Sequence, residues 1–406
     1  MSQQRSSGRS WWTRIGLCCL AVTLLGLPGS TGRSDVAEAA PPAGPASGGP
    51  PSGGPAANGP AAGGGPAANG PAAKGRVVQT STSGADVAPA AAGGGGAAGG
   101  PITLAFGGDV HFEAHLAPLL RHPDDALAAL RPYLATADVA MVNLETSITA
   151  RGTAQPKEFR FRTSPTALRA LSAAGVDVVT MANNHAVDYG PVGLADTLAA
   201  RRSSPIPIVG IGANEADAYA PAVFTVKGRR IAVLGASQLM DWTLSHFAAT
   251  SRTPGIAGAQ PIDRLVRAVR AARAQADVVV VYLHWGTERM TCPQASQREA
   301  AAALAAAGAD VVVGAHPHVT QGAGRLGNAF VDYSLGNFVW YSRGSEAAIS
   351  TGVLTLTLDG RRVTTSTWTP LRIGADGVPR RPAAATSARM LTSWQQSRTC
   401  TALKAP

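Results

Sequence analysis

From Ile102 onward, short apolar runs alternate with longer stretches of mixed polarity. The runs Ile102–Phe106, Val139–Val142, Val176–Met181, Ile206–Val209, Ile231–Leu234, Val278–Leu283, Val311–Val313 and Ala329–Tyr333 are too short for helices. Their β-branched content reads as strands buried on both faces. Between them, Asp124–Leu134, Pro165–Ala174, Val192–Arg201, Ile262–Gln275 and Ala295–Ala307 place apolar residues three and four apart, the spacing of amphipathic helices. Val353–Leu358 and Val363–Trp368, joined by Asp359-Gly360, read as a closing hairpin. Strand and helix in regular alternation predict an α/β protein with a largely parallel or mixed sheet. No second linker interrupts residues 101–372, so they are expected to form one domain.

The pattern fails at both ends of the 406-residue chain. Near the start, Arg5, Arg9 and Arg14 precede the 13-residue apolar run Ile15–Leu27, and Ala37-Glu38-Ala39 follows. A transmembrane helix needs about 20 apolar residues, so the run fits an export signal over 1–39 or, if uncleaved, an N-terminal anchor. Residues 40–100 are mostly Ala, Gly and Pro, which have little to bury against the entropy of ordering, and are expected to be a disordered linker. The sequence thus predicts an extracytoplasmic protein, secreted or anchored outside the cytoplasmic membrane and touching it only through the N-terminal segment. In that oxidising setting the two remaining cysteines, Cys292 and Cys400, are expected to pair, with two free thiols as the alternative.

Charge changes the picture only at the C-terminus. The net charge is +10, yet residues 101–360 hold 21 basic and 21 acidic side chains, while 361–406 hold eight basic and one acidic. A nucleic-acid groove would place its basic residues inside the domain beside stacking aromatics, so no nucleic-acid partner is expected. Residues 373–406 read as a basic tail, either solvated or a contact for a polyanion.

Polar clusters follow one strand after another: Gly107-Gly108-Asp109-Val110-His111, Asn143-Leu144-Glu145, Ala182-Asn183-Asn184-His185 with Asp188, His284-Trp285-Gly286-Thr287-Glu288, and Gly314-Ala315-His316-Pro317-His318. Ligands of open α/β sheets bind at the carboxyl ends of strands, so these loops are expected to converge. On extended backbone, residues i and i+2 point the same way, which pairs Asp109 with His111 and His316 with His318. With Glu145, Asn184 and His284 they make seven candidate metal ligands, too many for one tetrahedral site. Mixed carboxylate, amide and imidazole donors suit divalent Mn, Fe or Zn, and a carboxylate shared between two ions is how dinuclear hydrolytic sites are built. His115, His122 and His246 read as ordinary structural or surface histidines.

Those clusters, together with Tyr333-Ser334-Leu335-Gly336-Asn337-Phe338, resemble the CapA family of bacterial capsule and poly-γ-glutamate biosynthesis proteins over roughly residues 101–345. The resemblance implies a calcineurin-like metallophosphatase fold, a mixed-sheet sandwich with flanking helices. It further implies Asp109, His111 and His318 as ligands of a first metal, Asn184, His284 and His316 as ligands of a second, Glu145 as the bridge, and His185 as the acid that protonates the leaving group. In place of the Gly-Asp-x-x-Asp-Arg-Gly of true metallophosphatases stands Asn143-Leu144-Glu145, whose acid is one methylene longer. Asp188 reads either as orienting His185 or as a loop cap, and Glu288 as a supporting acid, a substrate contact or a solvated side chain. Asn143, Asn183, Trp285 and Asn337 are candidate pocket residues.

The function expected is a part in making, exporting or processing an extracellular anionic polymer through a metal-dependent hydrolytic site. The alternatives are a phosphodiesterase or phosphatase with another substrate, and a non-catalytic accessory subunit of a membrane polymer synthase.

Overall fold

The computed structural model describes residues 77–80, 99–341 and 344–406. The expected export signal lies outside the described residues, as does the expected linker except for 77–80 and 99–100. Among the described residues no helix is long and apolar enough to cross a membrane.

Two sheets form the centre. One runs in the order Val77–Thr80, Ala222–Val226, Arg229–Ser237, Val278–His284, Val311–Ala315, Ala329–Asp332 and Ala323–Leu326. The other runs Pro379–Arg380, Arg362–Ile373, Ser350–Asp359, Ile102–Val110, Val139–Leu144, Val178–Thr180 and Ile208–Val209, with Asn337–Val339 also paired to Ile102–Val110. In each, a block of strands is parallel; antiparallel strands flank it on both sides in the first sheet and on one side in the second, where the parallel block reaches the edge at Ile208–Val209. Mixed sheets of this kind, with helices outside them, are what the sequence predicts.

Strand periodicity explains how the sheets stack. Along Val278–His284, residues Val278, Val280 and Tyr282 face a core shared with Ile102, Leu104, Phe106, Val139 and Met141 of the other sheet. Val279, Val281 and Leu283 point the opposite way, against Leu265, Val269, Ala301 and Leu304. Successive strand side chains alternate in direction, so every central strand is apolar on both faces and reads as an unbroken run. The outward face is covered by Asp263–Arg273 and Ala295–Ala307, the latter started by a Gln294/Gln297 capping box and ended at Gly308 with φ +110°. Outside the other sheet, Thr166–Ala173 and Gly190–Arg202 cover Ala140, Val142 and Leu144.

Three segments differ from expectation. Asp124–Leu134 is not one helix: turns lead to a short 3-10 stretch, Ala128–Leu130, and an α-helix begins only at Arg131–Leu134. Pro132 sits in the first turn, where its missing N–H costs nothing, but it cannot continue a helix from upstream. Within the expected linker, Val77–Thr80 adds an antiparallel edge strand to Ala222–Val226, and a β-branched pair is the local signal for it. Beyond residue 372 the basic segment is folded: helix Ala384–Ser397 sets Met390 and Trp394 against the core between the sheets. A disulfide between Cys292 and Cys400, with Cα atoms 5.8 Å apart, ties this segment to the domain.

A candidate dinuclear metal centre

The polar clusters meet at the carboxyl ends of the parallel strands, where the two sheets adjoin. Asp109 is the penultimate residue of Ile102–Val110, and it pairs with Asn337 of the adjoining parallel strand Asn337–Val339. This close approach explains the glycine pair before Asp109: a Cβ on Gly108 would lie 1.8 Å from the Gly336 carbonyl oxygen. Asp109 N–H donates to that same carbonyl at 2.9 Å.

Glu145 is the centre of the arrangement. Its carboxylate lies within one ligand-sized group with Asp109 and His284 and within another with His316 and His318, the donor atoms of each group being within 4.8 Å of one another. Both Glu145 oxygens are buried and accept no hydrogen bond. Asn184 joins through Oδ1, 2.8 Å from His284 Nε2, and His318 Nδ1 lies 3.3 Å from Asp109 Oδ2. His316 presents an unpartnered, buried Nδ1. Five of the other six ligand candidates are therefore gathered around the Glu145 carboxylate. Asp109 lies nearer His318, at 3.3 Å, than His284, at 4.0 Å, and Asn184 lies beside His284 at 2.8 Å.

His111 stands apart from both groups. Its ring stacks on Phe161 at 4.6 Å and meets Trp340 and Tyr341 edge-on. Its Nδ1 accepts the Glu113 N–H at 3.0 Å, and its Nε2 is buried without a hydrogen-bond partner. The i, i+2 expectation needs extended backbone at both positions, and His111 lies past the end of its strand. His316 and His318 converge for a different reason from the one expected. They occupy a bend after Val311–Ala315 with φ of +95° and +57°, a left-handed conformation unusual for non-glycine residues and frequent at functional sites.

Electrostatics suit cations. Burial, and then the adjacent Asp109 carboxylate, push the Glu145 carboxyl well above the usual range. Burial, followed by the charges of neighbouring histidines, holds His284 and His316 well below the ordinary imidazole value, which leaves them neutral, the form that ligates metal. A buried pair of carboxylates among neutral imidazoles, with orphaned donor atoms, fits divalent transition ions.

Around the donors lies a frame of amides. Asn143 Nδ2 donates to Asp109 Oδ1 at 2.8 Å and lies 3.1 Å from His284 Nδ1. Asn183 Nδ2 donates to Asn143 Oδ1 and the Leu144 carbonyl, both at 2.9 Å, and its Oδ1 accepts the His185 N–H. Asn337 Oδ1 is 2.8 Å from His318 Nδ1. Both Asn143 and Asn183 are buried and brace ligands instead of lining a pocket. Trp285 is also fully buried, on the far face of its strand, where its indole N–H donates to the Tyr333 carbonyl. Glu288 is exposed at the rim.

His185 Nδ1 lies 2.6 Å from Asp188 Oδ2, and its Nε2 is 3.8 Å from Glu145 Oε1. Asp188 is in turn held by Lys157 Nζ at 2.6 Å and by the Phe161 N–H at 2.7 Å. Lys157 and Phe161, whose ring packs between His111 and His185, carry no sequence signal of a role. They come from an irregular loop, and Lys157's being one of only four lysines is the single hint.

Residues 103–342 match the family described as bacterial capsule synthesis protein PGA_cap. The chain is similar to the PGA biosynthesis protein CapA of Bacillus subtilis (strain 168), 32% identical over 59% of this chain and 63% of that protein. It is likewise similar to the capsule biosynthesis protein CapA of Bacillus anthracis, 31% identical over 59% of this chain and 60% of that one. A third relative is a probable polyglutamine synthesis accessory protein of Mycobacterium tuberculosis (strain ATCC 25618 / H37Rv), 33% identical over 48% of this chain and 53% of the relative. These alignments span between half and two thirds of the relatives' own lengths. With the donor cluster formed by the segments that carry the match, the chain belongs to the PGA_cap family of bacterial capsule synthesis proteins.

Proposed function

We propose that this chain is an exported protein acting in the biosynthesis, export or processing of an extracellular anionic polymer, poly-γ-glutamate or capsule, through a hydrolytic site that holds two divalent cations. One observation carries the proposal: the Glu145 carboxylate is common to two donor groups and is buried with neither oxygen hydrogen-bonded. A buried acceptor pair with no partner is costly unless a cation fills the gap. Asp109, Asn184, His284, His316 and His318 would complete the coordination, with Glu145 shared. Bound there, Mn, Fe or Zn ions supply acidified water and offset charge developing on the attacked centre.

The chain's own part is proton handling and orientation. In its neutral form His185 donates from Nδ1 to Asp188, which leaves Nε2 as the atom that accepts and hands on a proton beside Glu145. Burial lowers the His185 pKa and the Asp188 contact only partly opposes that, so the resting ring is neutral and able to accept a proton. Asn143 and Asn183 hold the carboxylate and loop in place. The disulfide supports an oxidising, extracytoplasmic location.

A second reading, an accessory subunit of a polymer synthase without turnover of its own, draws on the name of the mycobacterial relative. The test separates them. Purified protein should contain about two transition ions per chain, lose them in His316→Ala, and cleave a phosphodiester or poly-γ-glutamate in a reaction that His185→Ala slows at unchanged metal content. Two bound ions with no turnover on either substrate would favour the accessory role, and absence of bound metal would end the hydrolytic reading.

A further inference from the structure

Two hairpin turns, one from each sheet, meet at the amino ends of the parallel strands, the pole opposite the metal centre. Lys227-Gly228-Arg229-Arg230 leads from Ala222–Val226 into Arg229–Ser237, and Asp359-Gly360-Arg361-Arg362 leads from Ser350–Asp359 into Arg362–Ile373. They touch, because Arg229 Nη1 donates to the Gly360 carbonyl at 3.1 Å. The two turns hold five cations and one acid, Asp359, whereas residues 101–360 as a whole are balanced. Neighbouring carboxylates offset part of that charge: Asp138 binds Lys227 at 2.8 Å, and Asp310 binds Arg361 at 2.8 Å and Arg273 at 2.7 Å. Asp277 accepts the Arg230 backbone N–H at 2.7 Å. The Arg229 guanidinium is taken up by the carbonyls of Gly360, Gly99 and Gly100, which leave its charge uncancelled. The Arg230 and Arg362 side chains have no partner among the described residues, and Arg362 is exposed.

The chain also enters the domain at this pole. Val77 pairs with Thr225, two residues before Lys227, and Gly99 and Gly100 lie against Arg229. Immediately upstream in the sequence stand Lys74 and Arg76, and about 50 residues before Val77 the apolar run Ile15–Leu27 ends. A flexible chain of that length spans about 40 Å, so a membrane that holds the run keeps the domain close, and weak contacts to its surface then suffice. The metal centre lies at the far ends of the same strands, with Val278–His284 running about 20 Å from this pole to it.

We infer that this pole is a docking surface for anionic phospholipid headgroups, which holds the domain on the outer face of the membrane with its metal centre turned away from the lipid. Arg230 and Arg362 take headgroup phosphates through their paired N–H groups, and Lys227 and Arg361 add charge beside them. A cation near an anionic bilayer raises affinity about fivefold, so several acting together orient a tethered domain. Of the proposed function the inference borrows only export across the membrane; it needs neither the cations of the metal centre nor the polymer.

The test is chemical footprinting of arginine and lysine side chains, read by mass spectrometry, on the full chain incubated with vesicles. On vesicles rich in phosphatidylglycerol, Lys227, Arg230 and Arg362 should react several-fold more slowly than on phosphatidylcholine alone, and high salt should cancel the difference. Arg160 and Arg289, exposed at the rim of the metal centre, should react equally on both. Arg230→Glu combined with Arg362→Glu should return Lys227 to its reactivity on neutral vesicles, while the same reversal at Arg160 and Arg289 should leave it protected. Equal reactivity of the pole on the two kinds of vesicle would overturn the inference. So would protection of Arg160 and Arg289 in its place, which would turn the metal centre toward the lipid. Stronger protection by short γ-linked glutamate oligomers than by vesicles would also overturn it and assign the cations to the polymer. His316→Ala keeps the two proposals apart: it should lose metal and retain the protection on phosphatidylglycerol.

Discussion

Lys157 Nζ lies 2.6 Å from Asp188 Oδ1, with the lysine side chain 13% exposed and the aspartate fully buried. The pair fixes Asp188 as a charged acceptor for His185 Nδ1. Removing one member of a buried ion pair leaves the other uncompensated, at a cost of roughly 3 kcal/mol. Lys157→Met should therefore lower the melting temperature. It should also raise the His185 pKa, because the lysine charge now opposes protonation of that ring. Histidine resonances followed by NMR against pH would show the shift, and an unmoved His185 would remove Lys157 from the proton-handling chain.

Glu145→Gln should have opposite effects with and without cations. In the metal-free fold the Glu145 carboxyl is held well above the usual range by burial and by Asp109. A raised folded-state pKa means the folded chain keeps a proton that the unfolded chain releases, so stability declines as pH rises above the ordinary carboxylate range. The glutamine variant lacks that decline and should be the more stable protein in chelator at pH 8. With metal the order should reverse: an ion at 100 times its Kd stabilises the wild type by about 2.7 kcal/mol, and the variant forfeits much of that. Thermal melts in chelator and in Mn or Zn at two pH values check both halves.

The sheet strands were readable because inward and outward positions are both apolar, which leaves unbroken runs such as Val278–Leu283. The donors were readable because each ends such a run. What could not be read lies where sequence neighbours part company in space. His111 follows Asp109 by two residues, but the strand ends between them and the ring turns to Phe161. Trp285 follows His284 directly, and alternation sends it into the opposite core. Lys157 and Phe161 arrive from a loop without periodicity, where only the fold brings them to Asp188. The C-terminal helix was hidden because Ala384–Ser397 has just two buried positions, Met390 and Trp394, too few to mark a face.

Cys292 and Cys400 are 108 residues apart in sequence, so their bond restricts the unfolded chain over a long loop. Cys400→Ser should cost roughly 2–5 kcal/mol. Its local effect distinguishes it from a general loss of stability: helix Ala384–Ser397 should become the first site of proteolysis under native conditions. Cleavage that begins elsewhere would show that packing of Trp394, rather than the bridge, holds the segment down.

Asp332 gives the protein a pH dependence unrelated to hydrolysis. It is fully buried in strand Ala329–Asp332, and burial pushes its carboxyl from 3.8 up to about 8, opposed only by the Ser334 N–H that Oδ1 accepts at 3.0 Å. Its Oδ2 has no partner. The folded-state value exceeds the unfolded one, so the contribution is fully present below about pH 4 and is lost progressively up to about pH 8, at about 1.4 kcal/mol per pH unit. Asp332→Asn keeps the acceptor for Ser334 and removes the titration. The variant should match the wild type near pH 4 and exceed it by a few kcal/mol at pH 8. Urea unfolding at pH 5 and pH 8 provides the check, and an equal difference between the two proteins at both values would mean that Asp332 is ionised in the fold throughout.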